Sequence, residues 1–276
     1  MLWQRVVTSF ALLALILSAV FILPASLFYL FILLVMGIAA WEWSSLAGMS
    51  NTIYRALYVT VLLAAMVVST HKGAPINLFF SMAIVCWLMA LLFICIYPAG
   101  QIFWSKKATL IVAGLPLFVP GWLAFFVLRN QSNHEFHILL LFFLVAAADI
   151  GAYFAGRTFG KYKLAVRVSP NKTWEGFAGG VLACTLLIVI AVLLFSEQLP
   201  EMNSIRWFKL VIMGLLIAAF SVVGDLFESM VKRNRDVKDS GTILPGHGGI
   251  LDRIDGLTAA APLYAMCLIQ LGAEFL

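Results

Sequence analysis

Residues 6–23, VVTSFALLALILSAVFIL, hold no charge and no proline across 18 positions. A helix rises about 1.5 Å per residue and the hydrocarbon core of a bilayer is about 30 Å thick, so about 20 apolar residues make a span. The stretch therefore reads as a membrane helix. The preceding MLWQR gives it the basic flank of a signal peptide. The apolar run is long for a signal core, however, and no small-x-small cleavage site follows, which predicts an uncleaved first span.

Working outward, the same pattern recurs along the chain. Nine spans are predicted, at roughly 5–23, 26–46, 53–70, 77–97, 108–128, 136–157, 174–195, 205–228 and 257–274. Turn signals at Leu23-Pro24-Ala25-Ser26, Tyr97-Pro98-Ala99-Gly100 and Leu199-Pro200 separate some of them. Apolar residues make up 63% of the 276 and charged residues 11%, with a mean hydropathy of +1.02. Soluble domains carry about 25% charged residues. The fold class is therefore all-α, a polytopic integral membrane protein. A net charge of +5 does not make it a nucleic-acid binder, because that function needs a soluble basic face. Cys86, Cys95, Cys184 and Cys267 lie singly in apolar segments, which argues against a zinc site or a disulfide framework.

The basic residues orient the spans. With the N-terminus in the cytoplasm, 14 of the 18 lysines and arginines fall inside, and only Lys72, Arg129, Arg206 and Lys209 fall outside. Ten of the inside residues sit in two segments, 157–173 and 232–256. This divides the chain into a scaffold of five spans, 1–130, and a chemistry-bearing region, 131–276, whose polar segments face the cytoplasm. Within the scaffold the only acidic residue is Glu42, in Trp41-Glu42-Trp43, which reads as an interfacial aromatic belt. No internal repeat supports an inverted-repeat transporter.

Carboxylates inside spans are costly and mark function. Asp149 shares a helical stripe with Tyr153, Gly156 and Gly160, which suits either close helix packing or the wall of a polar site. Ser221, Asp225, Glu228, Ser229 and Lys232 form a second polar face, with Glu228 and Lys232 placed to pair. The following segment is rich in glycine, which lets backbone N–H groups approach an anion. It ends in His247-Gly248-Gly249 and Asp252-Arg253-Ile254-Asp255, with the two aspartates on one face once a helix begins. Asp149, Asp225, Asp252 and Asp255 are hard oxygen donors suited to Mg²⁺, and the surrounding lysines and arginines suit phosphates. Together they imply a polyphosphate substrate meeting a lipid. Gly156 to Tyr162 only imitates a phosphate loop: it has three residues between its glycines where four are needed, and a tyrosine after the lysine.

Residues 229–255, SMVKRNRDVKDSGTILPGHGGILDRID, resemble the signature of the phosphatidate cytidylyltransferases, or CDP-diacylglycerol synthases. Ser229, Lys232-Arg233, Lys238-Asp239, Gly241, Leu244-Pro245, His247-Gly248-Gly249, Asp252-Arg253 and Asp255 carry the likeness. Asp149 to Tyr153 with Gly156 and Gly160, and Ser169 to Gly176, agree with it. The resemblance implies transfer of a cytidylyl group from CTP to phosphatidic acid, releasing pyrophosphate. It further implies a divalent cation with K⁺ as a second, a cavity open to cytoplasm and lipid, the bacterial inner membrane, and a homodimer by default. On this footing Asp225, Asp252, Asp255 and Asp149 are the expected metal ligands. Asp225, Asp252, Asp255, His247, Lys238 and Asp239 form the expected catalytic set. Ser169, Asn171, Lys172, Lys232, Arg233, Arg253, Gly248 and Gly249 are the expected substrate contacts. His247 is expected to protonate the leaving group or to hydrogen-bond a phosphate, and no protein nucleophile is needed. Two rival classes are a CDP-alcohol phosphotransferase, whose D-G-x-x-A-R pattern is missing, and a cation-coupled transporter, which has no need of the long polar segment.

Overall fold

The computed structural model describes residues 2–71, 74–194 and 204–271. Lys72 and the expected Leu199-Pro200 turn lie outside the described residues, as do positions 272–274 of the ninth expected span. The elements are α1 (Leu2–Phe21), α2 (Ala25–Leu46), α3 (Thr52–Ser69), α4 (Ile76–Ile96), the short α5 (Gln101–Trp104), α6 (Lys107–Arg129) and α7 (His134–Phe159). A hairpin of β1 (Lys163–Ala165) and β2 (Ser169–Thr173) follows, then α8 (Trp174–Leu194), α9 (Ser204–Asn234) and α10 (Leu251–Leu271). Among the described residues, seven helices (α2, α3, α4, α6, α7, α8 and α9) are long and apolar enough to cross a membrane by length and composition. The chain is a multi-pass, all-α membrane protein.

Three boundaries differ from the sequence reading. The 157–173 segment is no simple loop: α7 runs on to Phe159 and the antiparallel hairpin pairs Lys163 with Thr173 and Ala165 with Ser169. A three-residue strand is too short to carry a periodic signal. The 232–256 segment narrows to 235–250, because α9 continues to Asn234 and α10 begins at Leu251. Asp252 and Asp255 therefore lie in the opening turns of α10, on one helix face.

The aromatic-belt reading of Trp41-Glu42-Trp43 does not hold. Trp43 and Glu42 are buried inside the bundle. The Trp43 indole N–H donates to the Leu110 carbonyl of α6 at 2.9 Å. Arg55 of α3 lies 4.1 Å over the Trp41 ring and donates to the Trp41 carbonyl and the Ser44 hydroxyl, closing the end of α2. An apolar run with one acid looks the same from the sequence whether it faces lipid or protein, and only tertiary packing separates the two.

Two helix crossings position the site. In the first, α7 and α8 meet through small residues: a Cβ on Gly151 would lie 2.6 Å from the Gly179 carbonyl, and one on Gly180 would lie 2.7 Å from that of Ala148. Gly156 and Gly160 pack on Thr173, but Tyr153 points outward and accepts from Arg157. The expected stripe thus splits into a packing seam and an exposed ring. Gly180→Val is expected to lower the melting temperature in detergent, with a cost of about 1–3 kcal/mol from overpacking; a melting temperature equal to wild type would contradict the seam. In the second crossing, Gly224 of α9 lies against the backbone of Asp255, and a Cβ on Gly256 would lie 2.6 Å from the Ser221 hydroxyl. The α9 and α10 backbones therefore nearly touch at the level of Asp225 and Asp255.

Candidate active site

Asp225, on α9, is 35% exposed at its side chain, and its Oδ2 lies 2.5 Å from Lys172 Nζ on β2. Its Oδ1 accepts from the Ser229 hydroxyl, one turn on, at 3.2 Å. Asp255 is half-buried and within electrostatic reach of Asp225 and Glu228. Asp149, on α7, is accessible and within reach of Lys172, Asp225 and Arg253. Four acids from three helices thus share one region, facing Lys172 from the hairpin.

Lys232 occupies the inner side of this region. Its ammonium donates to Glu228 Oε2 at 2.9 Å and to Asp252 Oδ1 at 2.5 Å, and all three side chains are largely buried. The expected Glu228–Lys232 pair is present. Lys232 is thus shared between two carboxylates, one on α9 and one on α10. Asp252 is similarly engaged: its Oδ2 accepts from the Ser240 N–H and hydroxyl, both at 2.9 Å, and from the Gly249 N–H at 2.8 Å. Both of its oxygens thus accept hydrogen bonds, Oδ1 from α9 and Oδ2 from the loop. Gly248 and Gly249 lie close against the protein's own carboxylates: a Cβ on Gly248 (φ +83) would lie 2.7 Å from Asp252 Oδ2, and one on Gly249 would lie 2.5 Å from Glu42 Oε2.

Of the other expected residues, Lys238, Asp239, His247, Gly248 and Arg253 line a polar cavity of about 710 Å³ together with Thr242 and others. Arg253 is exposed, donates to the His247 carbonyl at 3.1 Å, and links this cavity electrostatically to Asp149. The His247 ring is not turned wholly to the cavity, since Nδ1 lies 2.6 Å from the Thr8 hydroxyl of α1. Arg233 reaches back to the Val168 carbonyl of the hairpin at 3.5 Å. Ser169 and Asn171 share β2 with Lys172, and Asn171 is exposed. Beneath the hairpin lies an apolar cavity of about 410 Å³, walled by Tyr97, Val168, Trp174, Phe177, Val222 and Leu226, with Arg167 among its lining residues.

The donor set suits a hard divalent ion in chemistry and charge. Oxygen donors dominate, and among the described residues the buried Glu228 Oε1 has no N–H or hydroxyl donor, with the Asp255 carboxyl as its neighbour. Among the described residues no three such groups converge closely enough to enclose an ion without the movement of a side chain, and Lys172 and Lys232 now balance the acids.

Two residues at the site escaped the sequence reading. Glu42 accepts from the Ile250 and Leu251 N–H groups at the start of α10, and Ser240 joins Glu42 to Asp252. A lone acid in a scaffold of apolar spans was the available signal for Glu42; Ser240 offered none.

The model of the cytidylyltransferase family matches residues 3–271. The chain belongs to the cytidylyltransferase family. It is an enzyme of the nucleotidyltransferase class, and the described site lies within the matched residues. A phosphatidate cytidylyltransferase of Pseudomonas aeruginosa is 40% identical over 273 residues, covering 99% of this chain and 98% of the relative. One of Haemophilus influenzae is 38% identical over 289 residues, covering 96% and 98%. One of Staphylococcus aureus is 45% identical over 150 residues, covering 54% and 55%. For this cytidylyltransferase the comparisons and the membrane fold agree with a transferase of phospholipid synthesis.

Proposed function

We propose that the chain transfers the cytidylyl group of CTP to phosphatidic acid, forming CDP-diacylglycerol and pyrophosphate at the cytoplasmic face of a bacterial inner membrane. The observation that carries this reading is the end-to-end likeness to the Pseudomonas aeruginosa phosphatidate cytidylyltransferase. A phosphate oxygen of the lipid attacks the α-phosphorus of CTP in line; the new P–O bond forms as the bond to the β-phosphate oxygen breaks, and pyrophosphate leaves. The lipid phosphate is itself the nucleophile, so no covalent nucleotidyl-enzyme forms. Both reactants are anions, and their repulsion is the main barrier that the site must reduce.

In this reading Lys172, which faces Asp225 from the hairpin, receives the lipid phosphate. Lys238 and Arg253 line the polar cavity and hold the triphosphate end of CTP. The adjacent apolar cavity under the hairpin takes acyl chain, with Arg167 among its lining residues. Asp149, Asp225 and Asp255 would hold a divalent cation, Mg²⁺ in this reading, which when bound neutralises phosphoryl oxygens of both reactants. Asp252 keeps the loop closed over this region through Lys232, Ser240 and Gly249. The N-terminus lies in the cytoplasm and nine helices cross the bilayer.

Purified protein in detergent is expected to release pyrophosphate from CTP only with phosphatidate present, and to lose that activity on chelation and regain it with Mg²⁺. Release without lipid, or full activity after exhaustive chelation, would contradict the reaction or the metal respectively. A cation transporter would be indifferent to CTP. Isolation of a nucleotidylated protein after incubation with labelled CTP would exclude the direct displacement.

A further inference from the structure

We propose that Glu42, on α2, is a positioning residue of this site, a latch that holds the 235–250 loop and the first turn of α10 and so aims Asp252 and Asp255. The inference rests on the transferase reading for its kinetic consequence.

The first N–H groups of a helix have no intrahelical partner and are normally capped by the residue just before it. For α10 that residue is Ile250, which has no acceptor in its side chain. The acceptor comes instead from a distant part of the chain: Glu42 takes the Leu251 N–H at 2.8 Å and the Ile250 N–H at 3.1 Å. A carboxylate at the positive end of a helix is also favourably placed electrostatically. Glu42 is only 3% exposed, so these contacts are shielded from competing water. Loop residues close around it. Gly241 and Gly249 both lie where a Cβ would collide with the Glu42 carboxylate, and the Ser240 hydroxyl lies 3.3 Å from Glu42 Oε2 and 2.9 Å from Asp252 Oδ2.

The consequence is geometric. Glu42 and Asp252 between them take backbone donors at Ser240, Gly249, Ile250 and Leu251, so the loop is pinned at its return into α10. Asp255 sits one turn along the same helix, and any rotation or slip of that first turn moves it relative to Asp225 across the close α9–α10 crossing. A misplacement of about 1 Å in a site of this kind costs about 10²-fold in rate. A merely structural Glu42 would instead change the amount of folded protein and leave turnover per folded molecule alone.

The decisive comparison is Glu42→Gln against wild type in detergent. The amide keeps the size of the side chain but presents a donor to one of the two N–H groups. Hydrogen exchange at residues 240–256 is expected to speed up by about tenfold or more while the spans keep their protection, and kcat is expected to fall about 10²-fold with KM for CTP within about threefold. Unchanged exchange in that segment, or unchanged kcat per folded molecule, overturns the latch. Should Glu42→Gln not fold, Ser240→Ala takes its place: faster exchange at 249–252 with a several-fold lower kcat supports the latch, and wild-type values for either overturn it. If wild type itself shows no CTP-dependent reaction, the transferase reading falls, and the exchange arm still decides whether the latch exists.

Discussion

Asp225→Asn is expected to lower turnover of CTP with phosphatidate by about 10²–10³-fold, the size of effect seen when one preorganised electrostatic partner is removed from a transition state. The substitution preserves shape: the amide oxygen can still accept from Ser229. It removes the charge that faces Lys172 and one of the three carboxylates proposed to hold the cation. Since the side chain is 35% exposed, folding should suffer little, and the variant should be recovered in detergent at wild-type yield. Asp255→Asn should behave alike in kinetics. Wild-type rates for both would remove the metal assignment, whatever the effect of chelation.

The second large effect concerns stability. Lys232→Met leaves Glu228 and Asp252 facing each other without their shared cation. Breaking a buried ion pair by removing one member costs about 3–5 kcal/mol, or roughly 10 °C in melting temperature for a chain of this size. Adding Glu228→Gln to Lys232→Met should recover part of the loss, because one of the stranded charges goes with it. The single variant melting within about 2 °C of wild type would show that Lys232 is not holding the acids together, and would restore its place as a phosphate contact.

The helices were legible in the sequence because a span leaves a long, redundant signal: α2, α3, α4 and α6 begin and end within a residue or two of the apolar runs. The acids were legible because ionisable groups are rare in such a chain, and Asp149 and Asp255 each lie within electrostatic reach of Asp225. Their division of labour was not. Whether Asp252 faces a cation or is occupied by Lys232, Ser240 and Gly249 depends on how α9, α10 and the loop approach one another. Spacing along one helix cannot report that. Glu42 was hidden for the same reason, since its partners are about two hundred positions away in the chain. The hairpin was missed because β1 is three residues long, too few for alternation to register.

The glycine seam between α7 and α8 has a dynamic corollary. Helices whose backbones touch have little freedom to slide, so the pair should behave as one stiff plank, and the hairpin is the short clasp that joins its two members end to end. Lys172 rides on that clasp. Its ammonium is delivered to Asp225 by a rigid mount, and the entropy of ordering it is lost once, when the protein folds, instead of at every catalytic cycle.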